Sequence, residues 1–257
     1  MPKPKFFGEG IPYLDGAALN LKGKLIVIEG TDGVGRSTQV ERVRNWLEVQ
    51  GHGVVETGWT RSDLMSNLIL LAKEGNTLTR DTFSLLYATD FADRLENQII
   101  PALRSGFIVL SDRYVYTAFA RHTVRGGGRE WIRGVFGFSI LPDIVLYLRT
   151  DVKSLVHRVI GSVKGMDYWE SGMDMHLGED LYDSFCIYQE RLIAEYEAMA
   201  KEYKFEVIDT IDRSIEAIQD DLRQRIEPLV RRPRKIDVSM LDPKAVEAKR
   251  SADKEKG

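Results

Sequence analysis

Residues 30–38, Gly30-Thr31-Asp32-Gly33-Val34-Gly35-Arg36-Ser37-Thr38, have the composition of a loop that wraps a phosphate chain. Glycines let the backbone curl inward so that successive N–H groups point at phosphate oxygens, and a helix starting directly afterwards adds positive potential at the same spot. All of these residues but Thr31 are therefore candidate triphosphate contacts, with the Ser37 or Thr38 hydroxyl as a magnesium ligand. Arg36 stands where the usual pattern has lysine. Lysine is a compact point charge, whereas arginine is longer, planar and forked, so the charge is kept and its geometry altered. The competing reading is a glycine-rich turn with no ligand. Both outer glycines, the Ser-Thr pair and the flanking strand and helix patterns favour a nucleotide.

A second constellation is Ser111-Asp112-Arg113-Tyr114, directly after an apolar run. In a parallel sheet the C-terminal strand ends face the ligand crevice, which brings Asp112 and Arg113 beside the phosphate loop. The carboxylate then positions a metal-bound water or an attacking oxygen, and the guanidinium holds a second phosphate. A surface salt bridge in a turn is the bland alternative. His52, His122, His157 and His176 show no metal-ligand spacing and read as structural or solvent-facing.

These residues need a scaffold. Continuous apolar runs at 25–28, 107–110, 144–148 and 205–208, with a weaker one at 54–55, have the habit of strands buried on both faces. Segments of helical period lie between them, at about 37–50, 62–73, 80–104, 152–160, 179–203 and 214–230. This alternation predicts an α/β fold of three layers, a five-stranded parallel sheet flanked by helices. Tyr182, Phe185, Tyr188 and Leu192 recur at helical spacing and read as a core-facing stripe. Residues 126–128, three consecutive glycines, read as a loop.

The chain divides into an irregular leader over 1–23, which holds three of the eight prolines, a single α/β domain over 24–230, and a charged tail over 231–257. Phe6, Phe7, Ile11, Tyr13 and Leu14 of the leader are candidates to pack on the domain. With 36 Lys and Arg against 39 Asp and Glu, the net charge of -3 argues against a nucleic-acid-coating protein and leaves room for a local phosphate pocket. Cys186 is the only cysteine, which excludes an internal disulfide and favours a reducing cytoplasm. No stretch has the length of a membrane-spanning helix.

The run 28–39, the Leu85-Leu86-Tyr87-Ala88 segment leading to Pro101-Ala102-Leu103, the Asp112-Arg113-Tyr114 turn and Leu141-Pro142-Asp143 before a strand together resemble the thymidylate kinase family, in order and spacing over residues 24–210. The resemblance implies a P-loop fold, ATP and magnesium as cofactors, phosphorylation of dTMP to dTDP, small nucleotides as the partners, and a homodimer formed through helix faces. Carried over by position, Asp32 meets the sugar hydroxyl of the acceptor, Arg113 holds its phosphate, Arg61 is a further phosphate clamp and Tyr87 stacks on the base. Phe91 occupies the place of a base-contacting arginine, with Arg94 one helical turn later as its substitute. Thr117 fits a small hydroxyl position, and Ala118 and Arg121 fall where polar and aromatic thymidine contacts are common.

The family's extra arginine lies either in the loop, where Gly33 stands here, or in a lid. The lid of this chain falls within 160–178, which contains Lys164, Met166, Trp169 and Met173 but no arginine. Arg158 just before it, and Arg36 itself, are the candidates to neutralise transition-state charge, alongside Asp112 and Arg113 as catalytic residues. Trp169 with its neighbouring methionines reads equally as a nucleotide cover or a contact patch. Alternatives in other classes are a nucleotide-binding regulator with little turnover and a deoxynucleoside kinase.

Overall fold

Continuous apolar runs become parallel strands because helices cover both faces of the sheet and remove any need for a polar side. The computed structural model describes residues 6–11, 20–75, 78–161 and 165–231. Its strands are β1 (Lys24–Glu29), β2 (Val54–Gly58), β3 (Ile108–Asp112), β4 (Ile144–Arg149) and β5 (Glu206–Asp209). They form one sheet in the order β2-β3-β1-β4-β5, parallel throughout. The helices are α1 (Arg36–Val49), α2 (Ser66–Gly75), α3 (Arg80–Arg94), α4 (Ile100–Arg104), α5 (Val115–Val124), α6 (Arg129–Val135), α7 (Val152–Ile160), α8 (Leu181–Glu202) and α9 (Ile215–Val230).

Central β1 shows the division of the core. Leu25, Ile26, Val27 and Ile28 are each 1% exposed or less. Leu25 and Val27 join the layer that contains Phe91, Tyr114 and Tyr188, from α3, the end of β3 and α8. Ile26 and Ile28 join Val40, Val43 and Leu47 of α1 and Leu222 of α9 on the other face. Of the expected stripe on α8, Phe185, Tyr188 and Leu192 are buried, while Tyr182 near the helix start is 48% exposed.

Two expectations about helices are corrected. The segment 80–104 is not one helix: a π-helical turn at Leu95–Ile99 separates α3 from α4. Pro101 has no N–H to return to the preceding turn, and the wider turn absorbs that loss. The helices α5 and α6 were not anticipated. Residues 115–120 of α5 are buried all round, so the segment lacks the polar stripe that marks a surface helix in sequence.

In the leader, Phe6 bridges Ile140, and Phe6, Phe7 and Ile11 pack on the core. Tyr13, Leu14, Lys164 and the tail over 232–257 lie outside the described residues. Among the described residues no helix is long and apolar enough to cross a membrane.

Candidate active site

The pairing register assembles the site. Ile28 of β1 pairs with Asp112 of β3, and Arg113 N–H donates to the Ile28 carbonyl oxygen at 3.0 Å, so the glycine loop and the Asp112-Arg113 turn leave the sheet side by side. The loop then turns into α1, whose first residue is Arg36 and whose cap is Gly35 in the left-handed region (φ 93°). Gly33 is also left-handed, and a Cβ there would come within 2.7 Å of Val159. The left-handed backbone and the Val159 side chain of α7 both make an arginine at this position costly.

Arg36 folds back over its own loop. Nη1 donates to the Gly30 and Thr31 carbonyl oxygens at 2.5 and 2.6 Å, and Nε donates to Asp112 Oδ1 at 2.7 Å. Asp112 Oδ2 accepts from the Ser37 hydroxyl at 3.3 Å, so the carboxylate links the loop cation to the loop hydroxyl. Burial alone would raise the Asp112 carboxyl; Arg36 and then Arg113 outweigh it and hold it below the ordinary value of 3.8. A cavity of about 240 Å³ opens over this loop, lined by Gly33, Val34, Gly35, Arg36, Ser37, Thr38, Arg158 and Val159. Arg158 reaches it from α7, where its Nη1 donates to the Val34 carbonyl oxygen (3.2 Å) and its Nη2 to that of Thr210 (2.7 Å).

Asp32 is the second node. Its Oδ1 accepts from Arg113 Nη2, and its Oδ2 accepts from Arg121 Nη2 at 2.6 Å. Burial pushes its carboxyl upward, but Arg113, Arg121 and Arg36 prevail and hold it well below 3.8. A group so depressed stabilises the fold at every pH above its ordinary value and loses that contribution as acid approaches its folded value. Asp32→Asn is therefore expected to cost about 3 kcal/mol of stability equally at pH 6 and pH 8, and less below about pH 3.8, as read by urea melts across that range.

The larger cavity, about 600 Å³, lies beyond Asp32 and is lined by residues that include Trp59, Phe83, Tyr87, Ala118, Arg121, Arg125, Trp169 and Asp174. Its aromatic wall is built by spacing on α3: Phe83 and Tyr87 are four residues apart and stack with centroids 6.5 Å apart. Trp59 meets Tyr87 edge-on at 4.7 Å, and Trp169 from the lid segment meets Phe83 at 5.1 Å. Trp169 thereby lines this cavity. Arg61 lies at the loop side, its Nη1 bonded to Glu56 Oε1 at 2.8 Å, and it folds across Gly58, where a Cβ would meet its Nε at 3.2 Å.

Three residues expected to face a ligand do not. Phe91 is 1% exposed, its ring against Tyr114, Phe136 and Phe138, because the apolar side of α3 faces the sheet. Arg94 is spent in a buried ion pair with Asp90 (2.9 Å) and a bond to Thr57 Oγ1 (3.2 Å). The Thr117 hydroxyl bonds Glu29 Oε2 and Tyr196 Oη, each at 2.9 Å, inside the protein. Phe91→Ala should accordingly lose about 3–5 kcal/mol of stability in a denaturant titration; any change in acceptor KM beyond that of the wild type would instead put Phe91 in the site.

Sequence reasoning assigned no role to Glu29, Trp59, Phe83, Arg125 or Asp174. Glu29, directly before the loop, is wholly buried and accepts from Tyr114 N–H, Thr117 Oγ1 and Tyr196 Oη, which fixes the loop's departure from β1. Burial raises its carboxyl above the ordinary value, partly offset by the Tyr114 N–H bond and by Arg36. The four-residue intervals from Phe83 to Tyr87 and from Arg121 to Arg125 were the available signals.

A glycine loop between a central strand and its helix, a loop cation tied to a carboxylate on the next strand, and a neighbouring cavity ringed by arginine and aromatic side chains define a P-loop phosphotransferase. The family model for thymidylate kinase matches residues 28–222. A protein named probable thymidylate kinase 2 from Saccharolobus solfataricus is 38% identical over 205 residues, 79% of this chain and 95% of its own length. One named thymidylate kinase from Caldicellulosiruptor saccharolyticus is 33% identical over 64% of this chain and 82% of its own. One named probable thymidylate kinase from Thermococcus gammatolerans is 34% identical over 54% and 71%. The chain belongs to the thymidylate kinase family.

Proposed function

We propose that this chain transfers the γ-phosphate of ATP to the phosphate of dTMP, giving dTDP and ADP. The observation that carries the reading is the arginine cluster between the two cavities: Arg36, Arg113 and Arg121 converge on Asp112 and Asp32 at the border between the glycine loop and the aromatic pocket. An oxygen of the acceptor phosphate attacks the γ-phosphorus in line, a P–O bond forms, and the bond to the β-phosphate oxygen breaks. Arg36 faces the β- and γ-phosphates, Arg113 and Arg61 hold the acceptor phosphate, and Arg158 closes the loop side. Asp32 and Arg121 meet the sugar, and Tyr87 stacks on the base. Positioning and charge neutralisation supply the catalysis, and no covalent enzyme intermediate is needed.

Ser37 and Asp112 are the residues that fit magnesium, since a hydroxyl and a carboxylate oxygen sit 3.3 Å apart at the mouth of the loop. Bound there, magnesium would neutralise phosphate charge. Magnesium bound by two side chains takes its remaining ligands from phosphate and water.

The working unit in this reading is residues 24–230, with the lid inside 160–178, in the cytoplasm. Exposed Leu64, Leu68 and Leu71 share one face at helical spacing and support a homodimer through that face. The test is a panel of nucleosides and nucleoside monophosphates supplied with magnesium and ATP, read as product formed. dTDP from dTMP, with thymidine untouched, supports the reading, and no phosphorylated monophosphate above background overturns it.

A further inference from the structure

With Phe91 in the core and Arg94 in a buried pair, α3 presents no polar side chain of those two to a base edge. The charged groups of the large cavity are mostly cations, Lys73, Arg80, Arg121 and Arg125, beside the neutral hydroxyls of Ser84, Tyr87 and Tyr168 and two histidines. Asp174 of the lid segment is the only carboxylate among the described lining residues. We propose that Asp174, held by Arg125, is the residue that selects the acceptor base, by accepting a hydrogen bond from the ring N–H of an imide base such as thymine or uracil. This inference rests on the monophosphate-kinase reading and names the specificity of the same site.

Position and chemistry support it. Arg121 lies in the last turn of α5 and Arg125 caps its C-terminus four residues on, about 6 Å further along the axis. Arg121 is bonded to Asp32, and Arg125 lines the same cavity as Tyr87. Arg125 grips Asp174 bidentately, Nε to Oδ2 at 2.8 Å and Nη2 to Oδ1 at 3.0 Å, and its Nη1 donates to Tyr188 Oη. Nη2 also reaches the Trp169 carbonyl oxygen at 3.4 Å, so one guanidinium sets both the carboxylate and the Trp169 backbone. A carboxylate has about four lone-pair sites, and Arg125 takes two, one on each oxygen. The Asp174 side chain is 17% exposed, so the other lone pairs remain accessible from the cavity. Thymine and uracil offer a donor at N3, which the carboxylate accepts. At N3 cytosine offers an acceptor, which faces the carboxylate with like polarity, and its donor is the N4 amino group one position along the edge.

The experiment compares dUMP with dCMP, acceptors of nearly one shape that differ along this edge, in the wild type, Asp174→Asn and Tyr188→Phe. Turnover with magnesium and ATP and equilibrium binding by calorimetry are both measured. Expected is a wild-type preference for dUMP that falls by about tenfold or more in Asp174→Asn, because the amide can donate as well as accept. Tyr188→Phe removes a bond to Arg125 without changing the group shown to the base, and should affect both acceptors alike. A dUMP-to-dCMP ratio unmoved by Asp174→Asn, with both acceptors weakened equally, would make Asp174 a lid fastener and overturn the proposal. Absence of turnover in the wild type sinks the kinase reading instead, and the binding ratio then decides the role of Asp174 by itself.

Discussion

Arg36→Ala should lower kcat/KM for phosphoryl transfer by about 10³-fold or more, with Arg36→Lys recovering most of the loss. The reason lies in what the guanidinium touches. It bonds the Gly30 and Thr31 carbonyl oxygens, which shapes the loop, and its Nε neutralises Asp112. Alanine removes the loop cation that the proposed function sets beside the phosphates and leaves the largely buried Asp112 without its nearest partner, so a stability loss of about 3 kcal/mol accompanies the kinetic one. A lysine ammonium can reach the same two carbonyl oxygens and keeps the charge, but gives up the fork that also serves Asp112. Steady-state kinetics and thermal melts on the two variants separate these effects. If lysine proved as inactive as alanine, the fork itself, through Asp112, would be what the reaction requires.

The second large effect is expected at Arg113. Its side chain is bonded to Asp32, the proposed function makes it a clamp on the acceptor phosphate, and its backbone is left-handed at φ 71°, a conformation that costs a residue with a Cβ about 1–2 kcal/mol. Arg113→Ala and Arg113→Gly should both lose about 10²–10⁴-fold in kcat/KM, because both discard the phosphate clamp. They should differ in stability: glycine relieves the backbone strain that alanine retains, leaving the glycine variant more stable by up to about 1 kcal/mol after its larger unfolded-state entropy is counted. Kinetics that recovered in the glycine variant would show that the turn's conformation, and not the guanidinium, carries the function.

The two nodes meet solvent pH alike. Asp32 and Asp112 are both held ionised by arginine, so neither should titrate near neutrality. Both nodes hold the charge state that a phosphate-transfer site needs before any substrate arrives.

How much of this was legible beforehand follows from the range of the forces involved. The loop, the five strands, the Asp112-Arg113 turn and the aromatic at 87 could be read from residue order, because each rests on local chemistry: glycine dihedrals, runs of apolar residues, a charged pair at a strand end. The family resemblance drew on the same local stretches, and family membership follows from them. Direction was not legible. Phe91, Arg94 and Thr117 were placed at the ligand by alignment, yet the packing of α3 and α5 against the sheet turns all three inward. The partners Asp90, Glu29 and Tyr196 lie 4, 88 and 79 residues away in the chain, and the two distant ones leave no local mark. The same holds for the Arg125–Asp174 pair, 49 residues apart. Spacing determined which groups exist and at what intervals along a helix; only the burial of one helix face against another element decided which of them are left facing the cavity.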